Sequence, residues 1–317
     1  MRVALHSIYF YNMKALIIII SFFLTCFFAN AQKINNADNK LLKQTEDTLA
    51  LYSKEMVFAQ DASSRFYADS IFIKTLVRAL KINNSFSYPI DSITTISKVY
   101  PPDSSFRIFT WQIERDESYF RQYGAIQMRT KDGSLKFFPL IDASDYTSTP
   151  TDSVRSNTNW IGAIYYGIVA KEYKGKKYYT LFGFDDNDFV STKKWLEELT
   201  FTANSEPVFG GPFFDYKEDS IKPAQPAYRF CLEYKKDAKA RMVYDPDLDL
   251  IIFDHLISES NEVNKKFTLI PDGDYEGFKW SNGKWIHVEK VFSEQQLKNG
   301  QFPMPAPILE DNGKPNN

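Results

Sequence analysis

The densest group of acidic side chains lies in the run Phe184-Asp185-Asp186-Asn187-Asp188, directly after a predicted strand. Carboxylates this close together repel one another unless a cation or hydrogen bonds compensate their charge. Because calcium prefers oxygen ligands of this kind, Asp185, Asp186 and Asp188 form a candidate calcium site. A polar β-turn explains the same residues and is the favoured interpretation.

Two further acidic runs, residues 245–249 and 272–277, resemble the opening of an EF-hand calcium loop. An EF-hand loop ends in a glutamate, but the corresponding position holds Leu256 after the first run and Gly283 after the second. Neither run is therefore an EF-hand. A looser calcium site that shares ligands from several loops stays an alternative.

Beyond residue 31 the sequence contains two histidines, His255 and His287, too few for a three-histidine zinc site. There is also no serine elbow of the G-x-S-x-G type, which leaves Asp254 and His255 as the neighbouring carboxylate and imidazole. Since adjacent strand residues point to opposite faces, we expect these two side chains not to touch. His287 falls on the same strand face as Trp285, which favours a packed or hydrogen-bonded role.

Composition excludes some functions and leaves others open. With 38 basic and 40 acidic residues, the chain lacks the basic surface expected of a nucleic-acid-binding protein. It also lacks a P-loop and a dinucleotide fingerprint. Aromatic residues make up 16% of the chain and could line a glycan or peptide groove, although core filling is the favoured role in a β-rich protein. The tryptophans considered for such a groove are Trp111, Trp160, Trp195, Trp280 and Trp285.

Two helices are predicted to precede the acidic and aromatic segments. In residues 38–60 apolar side chains recur every three or four positions, and the same spacing returns in residues 62–82. Asp61, Ser63 or Ser64 can cap the second helix, and the Asn83-Asn84-Ser85 run can end it. The sequence therefore predicts a helical hairpin domain over residues 32–90.

From residue 91 to residue 302 the apolar period changes to two, and turn residues recur about every ten positions. This pattern predicts a mainly β (α+β) fold, with an antiparallel β-meander, sandwich or barrel-like body following the hairpin. Turns at 131–133, 174–175 and 282–283 are expected to join β-hairpins. One short helix is predicted at 191–199. Strands are predicted at 106–113, 123–129, 135–140, 163–173, 177–183, 228–234, 241–244, 250–254, 267–270 and 275–280.

The two ends of the chain are predicted to lie outside the folded body. Met13-Lys14, the apolar run 15–28 and Ala29-Asn30-Ala31 form the three parts of a secretory signal peptide, so we expect residues 1–31 to be cleaved and Met13 to be the true start. The apolar run reaches only about 21 Å, short of the roughly 30 Å needed to cross a bilayer. Thr25 disfavours lipidation of Cys26. Residues 303–317 are expected to be a disordered proline-rich tail.

Removal of the signal peptide would leave Cys231 as the one cysteine, so no intramolecular disulfide is expected even in an oxidising compartment. Strand alternation places Cys231 opposite the apolar face formed by Phe230 and Leu232. The favoured interpretation is a small residue in a second packed layer, and an exposed thiol is the alternative.

Five segments together resemble a family of uncharacterised secreted proteins of Bacteroidota, over about residues 90–292. The resemblance implies an extracytoplasmic, β-rich protein and implies no activity, cofactor or catalytic residue. The long C-terminal sorting domain of some secreted proteins of that phylum is not evident, which favours the periplasm. The segments are Phe106–Trp111, Tyr178–Asp188, Lys239–Asp245, Ile252–Leu256 and Trp280–Trp285.

These observations predict an exported, soluble, non-enzymatic binding or interaction protein of the cell envelope, periplasmic or secreted. An envelope protein or a glycan is the expected partner, with no nucleic acid, no transmembrane segment in the mature chain and no cofactor other than the candidate calcium. The alternative is a hydrolase with a carboxylate or metal-assisted site. Its candidate residues are Asp185, Asp186, Asp188, Asp254 and His255.

Overall fold

The structure is a computed structural model that describes residues 33–116 and 118–292. The predicted signal peptide, residues 1–31, and the predicted tail, residues 303–317, lie outside the described residues. Within these two ranges, two α-helices precede fifteen strands in three sheets. The predicted fold class, a helical hairpin followed by a mainly antiparallel β body, is confirmed.

The helical hairpin consists of α1 (Asn36–Phe58) and α2 (Ala62–Leu80). Of the three candidate caps Asp61, Ser63 and Ser64, Asp61 caps α2, and its carboxylate accepts a hydrogen bond of 2.8 Å from the Ser64 amide. Asn84 adopts the predicted left-handed conformation after α2, with φ of 59°. Local helix signals therefore account for both ends of α2.

The strands form three sheets, whose members are given in spatial order. The first sheet contains β1 (Ser97–Val99), β2 (Phe106–Asp116), β3 (Tyr119–Met128) and β4 (Lys136–Ile141). The second contains β5 (Arg155–Ser156), β9 (Pro207–Phe209), β8 (Ser191–Phe201), β7 (Lys176–Asp185) and β6 (Ile164–Tyr173), with β11 (Phe230–Lys235) also paired to β8. The third contains β10 (Phe214–Asp215), β15 (Lys284–Val288), β14 (Leu269–Ser281), β13 (Leu250–Ser258) and β12 (Met242–Asp245).

Pairing between these strands is antiparallel except between β10 and β15, which are parallel. The three hairpins predicted at 131–133, 174–175 and 282–283 are confirmed. In the last, Asn282 and Gly283 both have positive φ, 52° and 82°, as a two-residue turn of this type requires.

The helix predicted at 191–199 is wrong, because these residues form β8. Trp195 and Leu199 pack between the first and second sheets, whereas Leu196 packs towards the third. Since both faces of β8 are buried, its apolar residues do not alternate with polar ones and their spacing imitates a helix. The strands predicted separately at 267–270 and 275–280 are joined in one strand, β14, which begins at Leu269 after a 3₁₀ helix at Lys266–Thr268.

The helical hairpin and the three sheets stack as four layers, which corresponds to the sandwich alternative. Alternate residues of β2 face different cores: Phe109 and Trp111 pack against the hairpin, and Phe106 and Ile108 pack against the second sheet. A further core, which includes Phe230, lies between the second and third sheets. The edges of these layers hold the clefts described below.

Candidate functional site

The acidic run after β7 lies between the first and second sheets, but its carboxylates have separate partners. Gln122 Nε2 and the Asn187 amide donate to Asp185 Oδ1 at 3.1 and 2.9 Å. Burial raises the pKa of Asp185 to about 6. The Asp185 carboxylate is thus held in a polar core by an amide side chain and a turn.

Asp188 and Asp186 point to different partners. Asp188 Oδ1 accepts hydrogen bonds from the Val190 and Ser191 amides at 2.9 and 2.8 Å, which is the predicted polar turn. Asp186 instead accepts hydrogen bonds from Gln112 and from Lys236, which directly follows β11. Within residues 33–116 and 118–292, no group of three His, Cys, Asp or Glu residues is arranged to hold a metal ion. Calcium binding by Asp185, Asp186 and Asp188 stays a prediction from the sequence.

A cleft of about 450 Å³ opens where β6, β7, β8 and β11 meet β12. It is lined by four cationic side chains but by one carboxylate, that of Asp186. We call it the cationic cleft. Its cationic residues are Lys194, Lys236, Lys239 and Arg241.

Aromatic rings form the wall behind these cations. Antiparallel pairing places Lys194 of β8 opposite Phe184 of β7. A bulge between Tyr165 and Gly167 in β6 leaves the Tyr166 side chain 40% exposed beside them. Tyr166 donates its hydroxyl hydrogen to the Met242 carbonyl at 2.7 Å, which ties the ring to the third sheet.

Lys194 is the unusual charge of the cationic cleft. Its half-buried ammonium lies 4.7 Å from the centre of the Tyr166 ring, and among the described residues it has no hydrogen-bond acceptor and no ion-pair partner. Burial lowers the pKa of Lys194, and the charge of Asp254 offsets this only in part. Asp254 is engaged elsewhere, because it accepts a 2.5 Å hydrogen bond from the Arg241 amide. Lys194 is therefore a partly desolvated cation without a carboxylate contact.

A separate cleft of about 390 Å³ contains His255 and His287, which we call the histidine cleft. His255 Nδ1 lies 2.8 Å from Asp272 Oδ2, and its Nε2 lies 3.9 Å from Glu276 Oε1. His287 Nε2 lies 2.5 Å from Glu276 Oε2, which confirms the hydrogen-bonded role predicted for His287. Both imidazoles thus face the same carboxylate.

Lys222 completes the charge pairing in the histidine cleft. Its ammonium lies 2.8 Å from Glu276 Oε2 and 2.6 Å from Asp219 Oδ2. Burial alone would raise the pKa of Glu276, but hydrogen bonds from His287 and Lys222 lower it. Burial would lower the pKa of Lys222, but its two carboxylate partners raise it. These charges mainly satisfy one another.

The structure separates the sequence neighbours Asp254 and His255, as predicted. Asp254 bonds to the Arg241 backbone, whereas His255 bonds to Asp272. The convergence of His255 and His287 on Glu276 was not predicted. The position of His287 near Glu276 could have been predicted from the register of the hairpin at 282–283. The position of His255 could not, because the irregular pairing of β13 and β14 between Asp254 and Leu256 has no signal in the sequence.

The tryptophans considered for a groove fill the core instead. Trp280 is partly buried against the core between the second and third sheets, and the others are at most 4% exposed, so the predicted core role is confirmed. Tyrosine and phenylalanine rings line the cationic cleft in their place. The Cys231 thiol is free and packs in the second layer as predicted, and burial raises its pKa. The four most buried of the five tryptophans are Trp111, Trp160, Trp195 and Trp285.

Comparison with models of protein families gave no match, and neither did comparison with curated proteins or with solved structures. The resemblance to secreted proteins of Bacteroidota therefore stays a prediction. Neither helix of the described ranges is long and apolar enough to cross a membrane.

Proposed function

We propose that this protein is an exported, non-enzymatic binding protein of the cell envelope whose cationic cleft binds an anionic glycan. The observation that carries the proposal is the Lys194 ammonium, which is half-buried beside the Tyr166 ring and contacts no carboxylate of residues 33–116 and 118–292. Burying a charge costs free energy unless a partner compensates it. A carboxylate or sulfate of a ligand would supply that partner.

The rest of the cationic cleft supports an anionic ligand. Lys239 and Arg241 are exposed at its rim, where positive charge attracts anions from solution. A hydrogen bond between an ammonium and an anionic ligand group contributes about 1.5–3 kcal/mol. The exposed Tyr166 ring offers the flat apolar surface on which a sugar ring can stack.

Isothermal titration calorimetry with two glycans of equal length tests the proposal. Hyaluronan tetrasaccharide carries carboxylates, whereas chitotetraose is neutral. We expect binding of the first alone, weakened by salt because exposed charges are screened. Lys194→Met should weaken it at least about tenfold, equivalent to about 1.4 kcal/mol.

The matched control is Lys43→Met, which removes the same charge from an exposed position of α1 outside the cationic cleft. It should leave the affinity unchanged. The proposal fails if no anionic glycan binds, or if Lys194→Met and Lys43→Met behave alike.

Export is the second part of the proposal and rests on the signal peptide predicted at residues 1–31. Fractionation of the producing cells should place the protein outside the cytoplasm, and N-terminal sequencing should begin at Gln32. An uncleaved protein that still carries residues 1–31 and stays in the cytoplasm would contradict this part of the proposal.

A hydrolase is the second candidate, favoured by the Asp272–His255 pair in an open cleft. A carboxylate that binds one imidazole nitrogen orients the other to take a proton from water. Turnover of an ester or glycoside that His255→Gln abolishes would support this function. For its metal-assisted form, thermal unfolding with calcium and with chelator should give different midpoints, and equal midpoints would exclude calcium.

A further inference from the structure

A third cleft, of about 290 Å³, lies beside the cationic cleft and under the end of α1. We call it the helix-side cleft. Val57 of α1 and Phe120 of β3 form part of its apolar lining, and Thr95 and Gln112 are among its polar groups. Asp186 lines both this cleft and the cationic cleft.

The two clefts meet at the pair formed by Asp186 and Lys236. Lys236 Nζ lies 3.0 Å from Asp186 Oδ1, and it lies 5.0 Å from the centre of the Phe120 ring in the helix-side cleft. On that side Gln112 Nε2 donates a 2.5 Å hydrogen bond to Asp186 Oδ2. The Asp186 carboxylate therefore lines both clefts, and the Lys236 ammonium of the cationic cleft lies beside a ring of the helix-side cleft.

The helix-side cleft contains an unused polar atom. Thr95 lines this cleft, and its buried Oγ1 atom has no hydrogen-bond partner among the residues that the structure describes. An unsatisfied buried polar group costs about 1–3 kcal/mol, so the Thr95 hydroxyl points to a partner that comes from outside the chain.

We propose that the two clefts are subsites of one groove, and that the ligand is an acidic oligosaccharide in which an anionic sugar adjoins a neutral one. This inference rests on the proposed binding of an anionic glycan. The anionic sugar occupies the cationic cleft beside Lys194. The neutral sugar occupies the helix-side cleft, where the Glu114 carboxylate repels a second anionic group.

The polar groups of the helix-side cleft favour sugar hydroxyls over a peptide. A hydroxyl both donates and accepts hydrogen bonds, and it can therefore satisfy the carboxylate of Glu114 and the unpartnered Thr95 hydroxyl alike. A peptide N–H only donates and a peptide carbonyl only accepts, so one such group cannot satisfy both of these side chains.

The experiment compares affinities as the ligand grows. Glucuronic acid is the one-sugar probe, and hyaluronan tetrasaccharide, in which anionic and neutral sugars alternate, is the longer probe. We expect the tetrasaccharide to bind at least about tenfold more tightly, because the second subsite adds contacts. Tetragalacturonate, with a carboxylate on every sugar, should bind less than threefold more tightly than galacturonic acid.

Val57→Trp fills the helix-side cleft from an exposed position, where Val57 is 39% exposed. It should remove the tenfold gain and leave the affinity for glucuronic acid unchanged. Leu51→Trp is the matched control, because Leu51 is 62% exposed on the same helix and lines neither cleft. Circular dichroism and the unfolding midpoint verify that both variants fold.

The outcomes separate the inference from the proposed function. Equal affinities for the short and long probes, or an unaltered gain in Val57→Trp, overturn the groove while the cationic cleft stands. If an acidic peptide such as tetraglutamate binds more tightly than the hyaluronan tetrasaccharide, the ligand is not a glycan. Failure of every anionic probe overturns the proposed function and the groove with it.

Discussion

The cationic cleft and the histidine cleft use charge in opposite ways. In the histidine cleft, Glu276 is held by Lys222 and His287, so the charges compensate one another. In the cationic cleft, the Lys194 ammonium has an aromatic ring beside it and no contact with a carboxylate in the described part of the chain. Paired charges of the first kind stabilise the fold, whereas a charge left open marks a place where a ligand can add free energy.

The same contrast occurs in the core on adjacent residues of β8. Glu197 accepts hydrogen bonds from Arg229 Nε at 2.6 Å and from the Tyr165 hydroxyl at 2.7 Å. Glu198, on the other face, accepts from Trp285 Nε1 at 2.8 Å, but its Oε2 has no partner. Burial raises the pKa of Glu198 to about 7. One acid is therefore paired with a cation, and its neighbour is about half protonated near pH 7.

The largest effect is expected from breaking the paired acid. Glu197→Gln should lower the free energy of unfolding by about 3–5 kcal/mol, because it leaves the Arg229 guanidinium buried without an anion. Urea denaturation at pH 7 measures the change. A loss below about 1 kcal/mol would show that the Glu197–Arg229 pair does not hold the second sheet to the loop at Pro150 and Ser153, which Arg229 also contacts.

The unpaired acid should give a pH dependence of the opposite kind. Because the pKa of Glu198 rises from 4.5 to about 7 on folding, ionisation destabilises the folded state as the pH rises from about 4.5 to about 7. Glu198→Gln removes this loss. The stability of the variant relative to the wild type should therefore increase by about 3 kcal/mol between pH 4.5 and pH 8. Urea denaturation at both pH values measures it, and a difference that does not change with pH would contradict the raised pKa.

Local signals account for the parts of the fold that could be predicted. The period of three to four residues gave both helices, and Asp61 marked the start of α2. Turn residues such as Asn282-Gly283 gave the hairpins. Strand β8 was mistaken for a helix because it is buried on both faces, and burial by two neighbouring sheets leaves no alternation to detect.

The candidate site was predictable in place but not in chemistry. The acidic run drew attention to Asp186, which does lie where two clefts meet. Lys194 and Tyr166 escaped notice because they lie on strands that flank β7 on either side, and a bulge exposes Tyr166. Register and bulges arise from contacts between distant segments, so no short pattern in the sequence reveals them.

A smaller effect is expected from the paired lysine of the histidine cleft. Lys222→Met should lower the free energy of unfolding by about 2 kcal/mol at pH 7, because Glu276 loses one of its compensating partners. Because folding lowers the pKa of Glu276, its ion pairs stabilise the fold fully above the ordinary pKa of 4.5. This stabilisation is lost as the pH falls through the lower pKa of the folded state. Thermal unfolding at pH 7 and pH 3 measures both. A loss of the same size at pH 3 would assign the effect to packing instead.

The smallest effect on stability is expected from Lys194→Met. Removing the charge relieves its desolvation, but it also removes a cation–π contact with Tyr166 worth about 0.5–1 kcal/mol. These two effects oppose each other, so the free energy of unfolding should change by less than about 0.5 kcal/mol in the absence of ligand. Urea denaturation beside Lys222→Met measures the difference between the two lysines. If Lys194→Met lowered the free energy of unfolding more than Lys222→Met, Lys194 would have a structural role. Its unpaired charge would then no longer indicate a ligand site in the cationic cleft.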